Sequence, residues 1–387
     1  MKERDGAMLT LKGITWDHPR GYDPLAATAA AYRESHPDVR IVWETRSLQA
    51  FGNDSVEELA ADHDLLVIDH PHVGNIARGG CLVALDQVGR DAALAALASQ
   101  SLGRSHESYQ YDGHQWALAI DAAAQVAARR PDLIESVPRT WDDAVALART
   151  GKVLWPLQPI DAMMSFLTLT ANVGAPCPAD GNRLVSEHAG RTVLRAMRDL
   201  ARLVPPACLT MNPIQALERL TEDDAYVYAP LLFAYANYAR AGFRRCPIAF
   251  GDIPALGDDG PGGSVLGGAG IGVSAKARAV EVAVDYAFWV AGADCQRSLY
   301  ARSGGQPAHV AAWEDPAVDA DGTGFFRSVR PALDGAYVRP RYHGWLGLQS
   351  RGAAILHVFL SDGLDERQAL TELEAAYQDS IRELGER

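Results

Sequence analysis

An aromatic ring, a carboxylate, an imidazole, a guanidinium and a phenol stand close together in Trp16–Tyr22 (WDHPRGY), as Trp16, Asp17, His18, Arg20 and Tyr22. A second polar cluster is Asp69-His70-Pro71-His72, in which His70 and His72 share one side of an extended chain. With His18 they compose a three-imidazole set. Such a set binds Zn²⁺ or Fe²⁺, hydrogen-bonds a polar ligand, or moves protons near neutral pH. Structural histidines with satisfied nitrogens are the plain alternative. Further along, Tyr228, Tyr235, Asn237 and Tyr238 lie in YAPLLFAYANY. Aromatic faces with phenolic hydroxyls suit sugars and planar ligands. Leu231, Tyr235 and Tyr238 also have the spacing of a helix stripe packed in a core. Trp155-Pro156 ends an expected strand and adds another aromatic.

These groups need elements to hold them. Leu9–Trp16 (LTLKGITW) reads as a strand, and Asp23-Pro24 as the cap and first-position proline of a helix over Leu25–Tyr32. His36-Pro37 stops that helix. Val39, Ile41 and Trp43 alternate, giving a second strand over 39–48. Ser55–Ala61 is a short helix. Leu65–Ile68 (LLVI) is a continuous apolar run, the pattern of a strand buried on both faces. Strand and helix alternate as in an open α/β sheet, whose ligands sit beyond the carboxyl ends of the strands. Trp16–Tyr22 and Asp69–His72 occupy such ends.

Beyond Pro131 helices dominate: Trp141–Arg149, Ser165–Ala171, Ser186–Val204 and one opened by Asn212-Pro213. Val153–Pro156 and Ala225–Tyr228 read as strands. Glycines crowd residues 257–272, which read as an extended crossing segment, followed by an apolar helix over Ala277–Val290. The chain closes on an amphipathic helix over Asp365–Leu384, with Leu370, Leu373, Tyr377, Ile381 and Leu384 on its stripe.

Composition bounds the function. The 387 residues are 48% hydrophobic and 22% charged, as in an ordinary globular chain. A net charge of −13, from 36 Lys+Arg against 49 Asp+Glu, opposes broad phosphate-backbone binding, so no nucleic-acid partner is expected. No apolar run is long enough to insert in a membrane. Met1–Met8 (MKERDGAM) has no secretion-signal core, which reads as cytoplasmic, or as periplasmic or extracellular if a leader has been removed. The five cysteines are scattered without a CxxC pair, so free buried thiols are expected, with a Cys177–Cys208 bridge as the alternative in an exported protein. Neither GxGxxG after a strand, nor GxxxxGK[ST], nor a GxSxG elbow occurs, and no cofactor is expected.

From Gly262 to Val310 the chain resembles bacterial extracellular solute-binding proteins of family 1, the substrate receptors of ABC importers. The likeness rests on the glycine-rich crossing segment, the strand GIGVS, the long helix after it, Ser298-Leu299-Tyr300, and the loop Gly304-Gly305-Gln306-Pro307-Ala308. The Asp112-Gly113 turn before the strand at Trp116–Ile120, and Arg339–Tyr342 before the last helix, fit as well. The resemblance implies an α/β, two-lobe type 2 periplasmic binding protein fold with an interlobe cleft. Lobe 1 would be 8–118 plus 268–311, and lobe 2 would be 119–267 plus 312–387. It implies a small polar organic ligand, hinge closure around it, and an ABC permease as partner if the protein is exported. Asp121 and Gln306 join Trp16, His18, Arg20, Tyr22, Asp69, His70, His72, Trp155, Tyr228 and Tyr235 as expected ligand contacts. Trp116 is expected to pack at the hinge. No adjacent tyrosine pair occurs, which disfavours the iron-binding branch. The alternative function is a cytoplasmic enzyme or ligand sensor on the same fold, with His18, Asp69, His70 and His72 as acid–base or metal groups.

Overall fold

A computed structural model describes residues 8–178, 181–320 and 322–385. The chain forms two compact units. One holds residues 1–122 and 268–318, the other residues 123–267 and 319–387. Two strands carry the chain from one unit into the other, β6 (Leu118–Arg129) outward and β9 (Leu266–Val273) back.

The first unit is built on β1 (Leu9–Trp16), β2 (Val39–Arg46), β3 (Leu65–Ile68) and β9, in the order β2-β1-β3-β9. β1 runs parallel to β2 and β3, whereas β9 is antiparallel to β3. All four residues of β3 are fully buried, as an interior strand requires. Helices α1 (Pro19–Ser35), α2 (Leu48–Asn53), α3 (Val56–Asp62), α4 (Val73–Gly79) and α5 (Asp91–Ser99) follow in turn. The hairpin of β4 (Gln110–Tyr111) and β5 (His114–Gln115) turns through Asp112 and Gly113, both at positive φ, the geometry of a tight two-residue turn. α10 (Val280–Ala291) packs Ala283, Val284, Ala287 and Val290 into the core below the sheet, and short α11 (Ala293–Cys295) and α12 (Val310–Trp313) complete the unit.

Two expectations change here. The helix begins at Pro19, not at Pro24: His18 takes the capping place, and Pro24 lies inside α1. Trp16–Tyr22 is therefore a strand end, a cap and a first helical turn rather than a loop. β2 stops at Arg46 because Ser47 caps α2 through its hydroxyl.

In the second unit β6 pairs antiparallel with β7 (Tyr228–Phe233) and β8 (Ala249–Gly251). The β6–β7 register shifts between Val126 and Ala128, opposite Pro230. Proline has no N–H to give a ladder, and the bulge absorbs that gap. Thus β7 starts at Tyr228, where the sequence reading ended its strand. Val153–Pro156 forms only a single bridge, Val153 to Tyr228. Helices α6 (Trp141–Ala148), α7 (Pro159–Asn172), α8 (Glu187–Ala201), α9 (Pro213–Glu222), α13 (Phe325–Asp334), α14 (Trp345–Leu360) and α15 (Glu366–Gly385) surround this sheet. Thr140 with Asp143 and Asn212 with Gln215 close reciprocal capping boxes on α6 and α9. α7 begins before Ser165, at Pro159. All five cysteines are free thiols. Among the described residues no helix is long and apolar enough to cross a membrane.

Candidate functional site

The carboxyl ends of β1, β2 and β3 lie side by side. β1 and β3 pair through Gly13↔Leu65 and Ile14↔Leu66, so His18 lies as far past one strand as His70 past the other. His18 is buried, and its Nδ1 accepts the Arg20 backbone N–H at 3.0 Å. That bond places the proton of the neutral ring on Nε2. Arg20 extends from the first turn of α1 to Asp121 on β6. Its Nε and Nη2 reach the two carboxylate oxygens at 2.8 and 2.5 Å, with both side chains buried. Asp121 thus forms a forked ion pair inside the first unit.

Gln306 and Ala122 lock the loop at 304–308 to β6. The Ala122 N–H donates to the Gln306 carbonyl at 3.0 Å, and the Gln306 amide donates to the Ala122 carbonyl at 2.7 Å. A Cβ on Gly268 would stand 2.2 Å from the Asp121 carbonyl oxygen, at φ +113°. Only glycine lets β9 pass β6 this closely. Trp116 is buried and donates its indole N–H to the Tyr111 carbonyl at 3.0 Å.

At β3, Asp69 caps the following turn by accepting the His70 N–H at 2.9 Å, and its carboxylate is 3.3 Å from His70 Nδ1. The His70 ring stands edge-on to Tyr109 at 6.3 Å. His72 Nε2 lies 3.2 Å from the Gly52 carbonyl oxygen. Among the described residues no group of three or more His, Cys, Asp or Glu side chains is placed to hold a metal ion. The three-imidazole metal set is therefore not assembled: His18 is turned to its helix cap and His72 to the α2 backbone.

Trp16 is 4% exposed and belongs to the first unit's core, against Phe51 at 5.1 Å and flush on Gly21. Its indole N–H has no hydrogen-bond partner. Tyr22 is 39% exposed.

In the second unit Trp155 is fully buried, edge-on to Trp141 at 5.5 Å, with an unpartnered indole N–H. Tyr228 is fully buried with an unpartnered hydroxyl, and burial pushes its phenol well above the ordinary value. Tyr235 is buried edge-on to Tyr238, whose hydroxyl donates to Glu218 at 2.6 Å. Trp16, Trp155 and Tyr228 are therefore core residues of their units, not open platforms. Two groups escaped the sequence reading. Asp161 and Ser165 lie one turn apart on one face of α7, both buried, with the Asp161 Oδ2 and Ser165 Oγ unpartnered. Burial pushes the Asp161 carboxyl up to about 8. Pro159 followed by Asp161 was the sequence signal, a first-position proline with an acid in the first turn.

Known proteins match this chain along nearly its full length. The family model for bacterial extracellular solute-binding proteins matches residues 27–325. No curated protein matches the chain. Among solved structures, maltose-bound MalE3 of T. maritima is 18% identical with a TM-score of 0.82, over 96% of this chain and 99% of its own. A solute-binding protein of Agrobacterium radiobacter K84 in complex with ribitol is 19% identical with a TM-score of 0.82, over 96% and 98%. One from Thermotoga lettingae bound with α-D-tagatose is 14% identical with a TM-score of 0.81, over 96% and 100%. The shared fold is the two-lobe α/β architecture of periplasmic binding proteins.

Proposed function

Because the chain belongs to the bacterial extracellular solute-binding protein family, we propose that it binds a small polyhydroxylated solute outside the cytoplasm and delivers it to an ABC permease. The family match over residues 27–325 carries this reading. Maltose, ribitol and α-D-tagatose, the ligands of the structural relatives, share many hydroxyls on a compact carbon frame. Side chains of this chain suit that chemistry. A sugar hydroxyl both donates and accepts, so it can answer buried groups such as Asp161 Oδ2 and Ser165 Oγ of the second unit, which have no hydrogen-bond partner. His18, Arg20, Asp69, His70, His72 and Asp121 would then order the first unit's strand ends, with Gln306 tying the loop behind them to β6.

Calorimetric titration with maltose, ribitol and tagatose tests the reading, together with mass spectrometry of small molecules that co-purify. Saturable binding of at least one polyol is the expected result. No binding of any polyol, and no hydroxylated molecule co-purifying, would overturn it.

A further inference from the structure

Two imidazoles share one small hollow of the first unit. His106 and His309, both buried, line it with Ser101, Gln100 and an apolar wall of Leu97, Ala119, Ala291 and Ala308. They belong to segments that clasp each other. Ser101 and His309 form a bridge. Beside it the Leu102 N–H donates to the Ala308 carbonyl at 2.9 Å, and the Val310 N–H donates to the Gln100 carbonyl at 3.0 Å. The Ser101 hydroxyl accepts the His106 backbone N–H at 2.9 Å. The same loop is fixed to β6, by the two Gln306–Ala122 bonds and a bridge from Pro307 to Asp121. His309 Nδ1 accepts the Ala311 N–H at 3.2 Å and so caps α12.

That cap needs a neutral ring with its proton on Nε2, because a protonated Nδ1 would set N–H against N–H. It also leaves Nε2 without a lone pair for a metal ion. No carboxylate lines the hollow to answer a charge on either ring. Burial alone holds both imidazoles below their ordinary value. Other charged groups on the packed elements stay off this wall. Arg104 pairs with Glu107, Asp294 with Arg297, Asp285 with Arg90 and Asp121 with Arg20, while Asp91, Glu281, Arg302 and Glu314 are exposed. We propose that the clasp is an acid-sensitive latch: proton uptake by His106 and His309 releases residues 306–310 from the Gln100–Leu102 segment and from β6. Once the segments part, both rings meet water, where histidine takes its proton near 6.5. The open form therefore binds more protons than the closed form as pH falls, and acid favours it. The latch stands apart from the solute-binding reading, since it needs no ligand.

Amide hydrogen exchange of the ligand-free chain at pH 7 and pH 5, corrected for the intrinsic pH dependence of exchange, tests it. The Leu102, Val310 and Ala122 amides, which hold the clasp, should lose protection about tenfold or more on going to pH 5. Amides of the β1–β2 ladder should not follow them. A double variant keeps the cap and removes both titrations: His309→Asn, since asparagine caps well, with His106→Gln. In it the clasp amides should keep their protection at pH 5. Clasp amides unchanged in the wild-type chain, falling only in step with the β1–β2 ladder, or falling equally in the double variant would each overturn the latch. Should the double variant fail to fold, the wild-type comparison decides alone: loss confined to the clasp supports the latch, and loss shared with the ladder overturns it.

Discussion

Arg20 and Asp121 lie 101 residues apart in sequence and meet through two hydrogen bonds inside the first unit. The pair ties the start of α1 to the strand that leaves for the second unit. Breaking a buried pair strands one charge, which costs about 3–5 kcal/mol. Asp121→Ala and Arg20→Ala should each lose stability of that order in urea unfolding. The double replacement Arg20→Met with Asp121→Leu should recover most of it, since it leaves no charge unanswered. Equal losses in single and double variants would show that the pair's worth is packing alone.

Trp16 and Tyr228 are expected to matter through packing. Trp16→Ala and Tyr228→Ala should each cost about 3–5 kcal/mol of stability. Tyr228→Phe removes an unpartnered buried hydroxyl and should be neutral or stabilising by about 1 kcal/mol. Thermal unfolding without ligand reads all three. An unchanged midpoint in either alanine variant would contradict the burial.

Asp161 sets an alkaline limb. Its carboxyl stays protonated in the folded chain up to about pH 8, whereas the unfolded chain loses that proton near 3.8. Between those values the unfolded state binds fewer protons, so stability falls as pH rises. Asp161→Asn should remove that fall, stabilising the ligand-free protein by on the order of 5 kcal/mol at pH 8 and by little near pH 4. A constant difference between the two proteins across this range would count against the buried acid.

His106 sets the opposite limb. It lines a hollow of the first unit with Ser101, Ala308 and His309, and burial pushes its imidazole down to about 4 and His309 down as well. Unfolded histidine takes its proton near 6.5, so the unfolded state gains protons first as pH falls. Stability should therefore decline from about pH 6.5 to about pH 4, by on the order of 2–3 kcal/mol for His106. His106→Gln should flatten this acid limb in midpoint-against-pH curves. An equally steep limb in the variant would assign it elsewhere.

The strands of the first unit were legible because their patterns are local. Leu65–Ile68 announces an interior strand, and Asn212-Pro213 announces its helix through a cap and a first-position proline. The start of α1 was not legible, because Asp23-Pro24 imitates a helix start, while the true cap is a histidine, an uncommon choice. β7 was misplaced because a fully buried strand has no alternation, and Tyr235 and Tyr238 continue it at helical spacing. Trp16, Tyr228 and Trp155 were picked out as aromatics, but residue type does not say which side of a sheet is dry. Asp161 is not legible for a related reason. What distinguishes it is a buried carboxylate oxygen without a hydrogen bond, a property of the packed chain rather than of any motif.

The antiparallel pairing of Leu65–Ile68 with Gly270–Val273 also bears on synthesis. β3 leaves the ribosome with β1 and β2, but the neighbour for its other edge follows only about 200 residues later. At roughly 5–20 residues per second that is a wait of roughly 10–40 s. During it an entirely apolar strand has an open edge, the kind that pairs with other chains. Truncated products ending before Gly270 should therefore be captured by chaperones or lost to inclusion bodies, whereas the complete chain shields that edge with its own return strand.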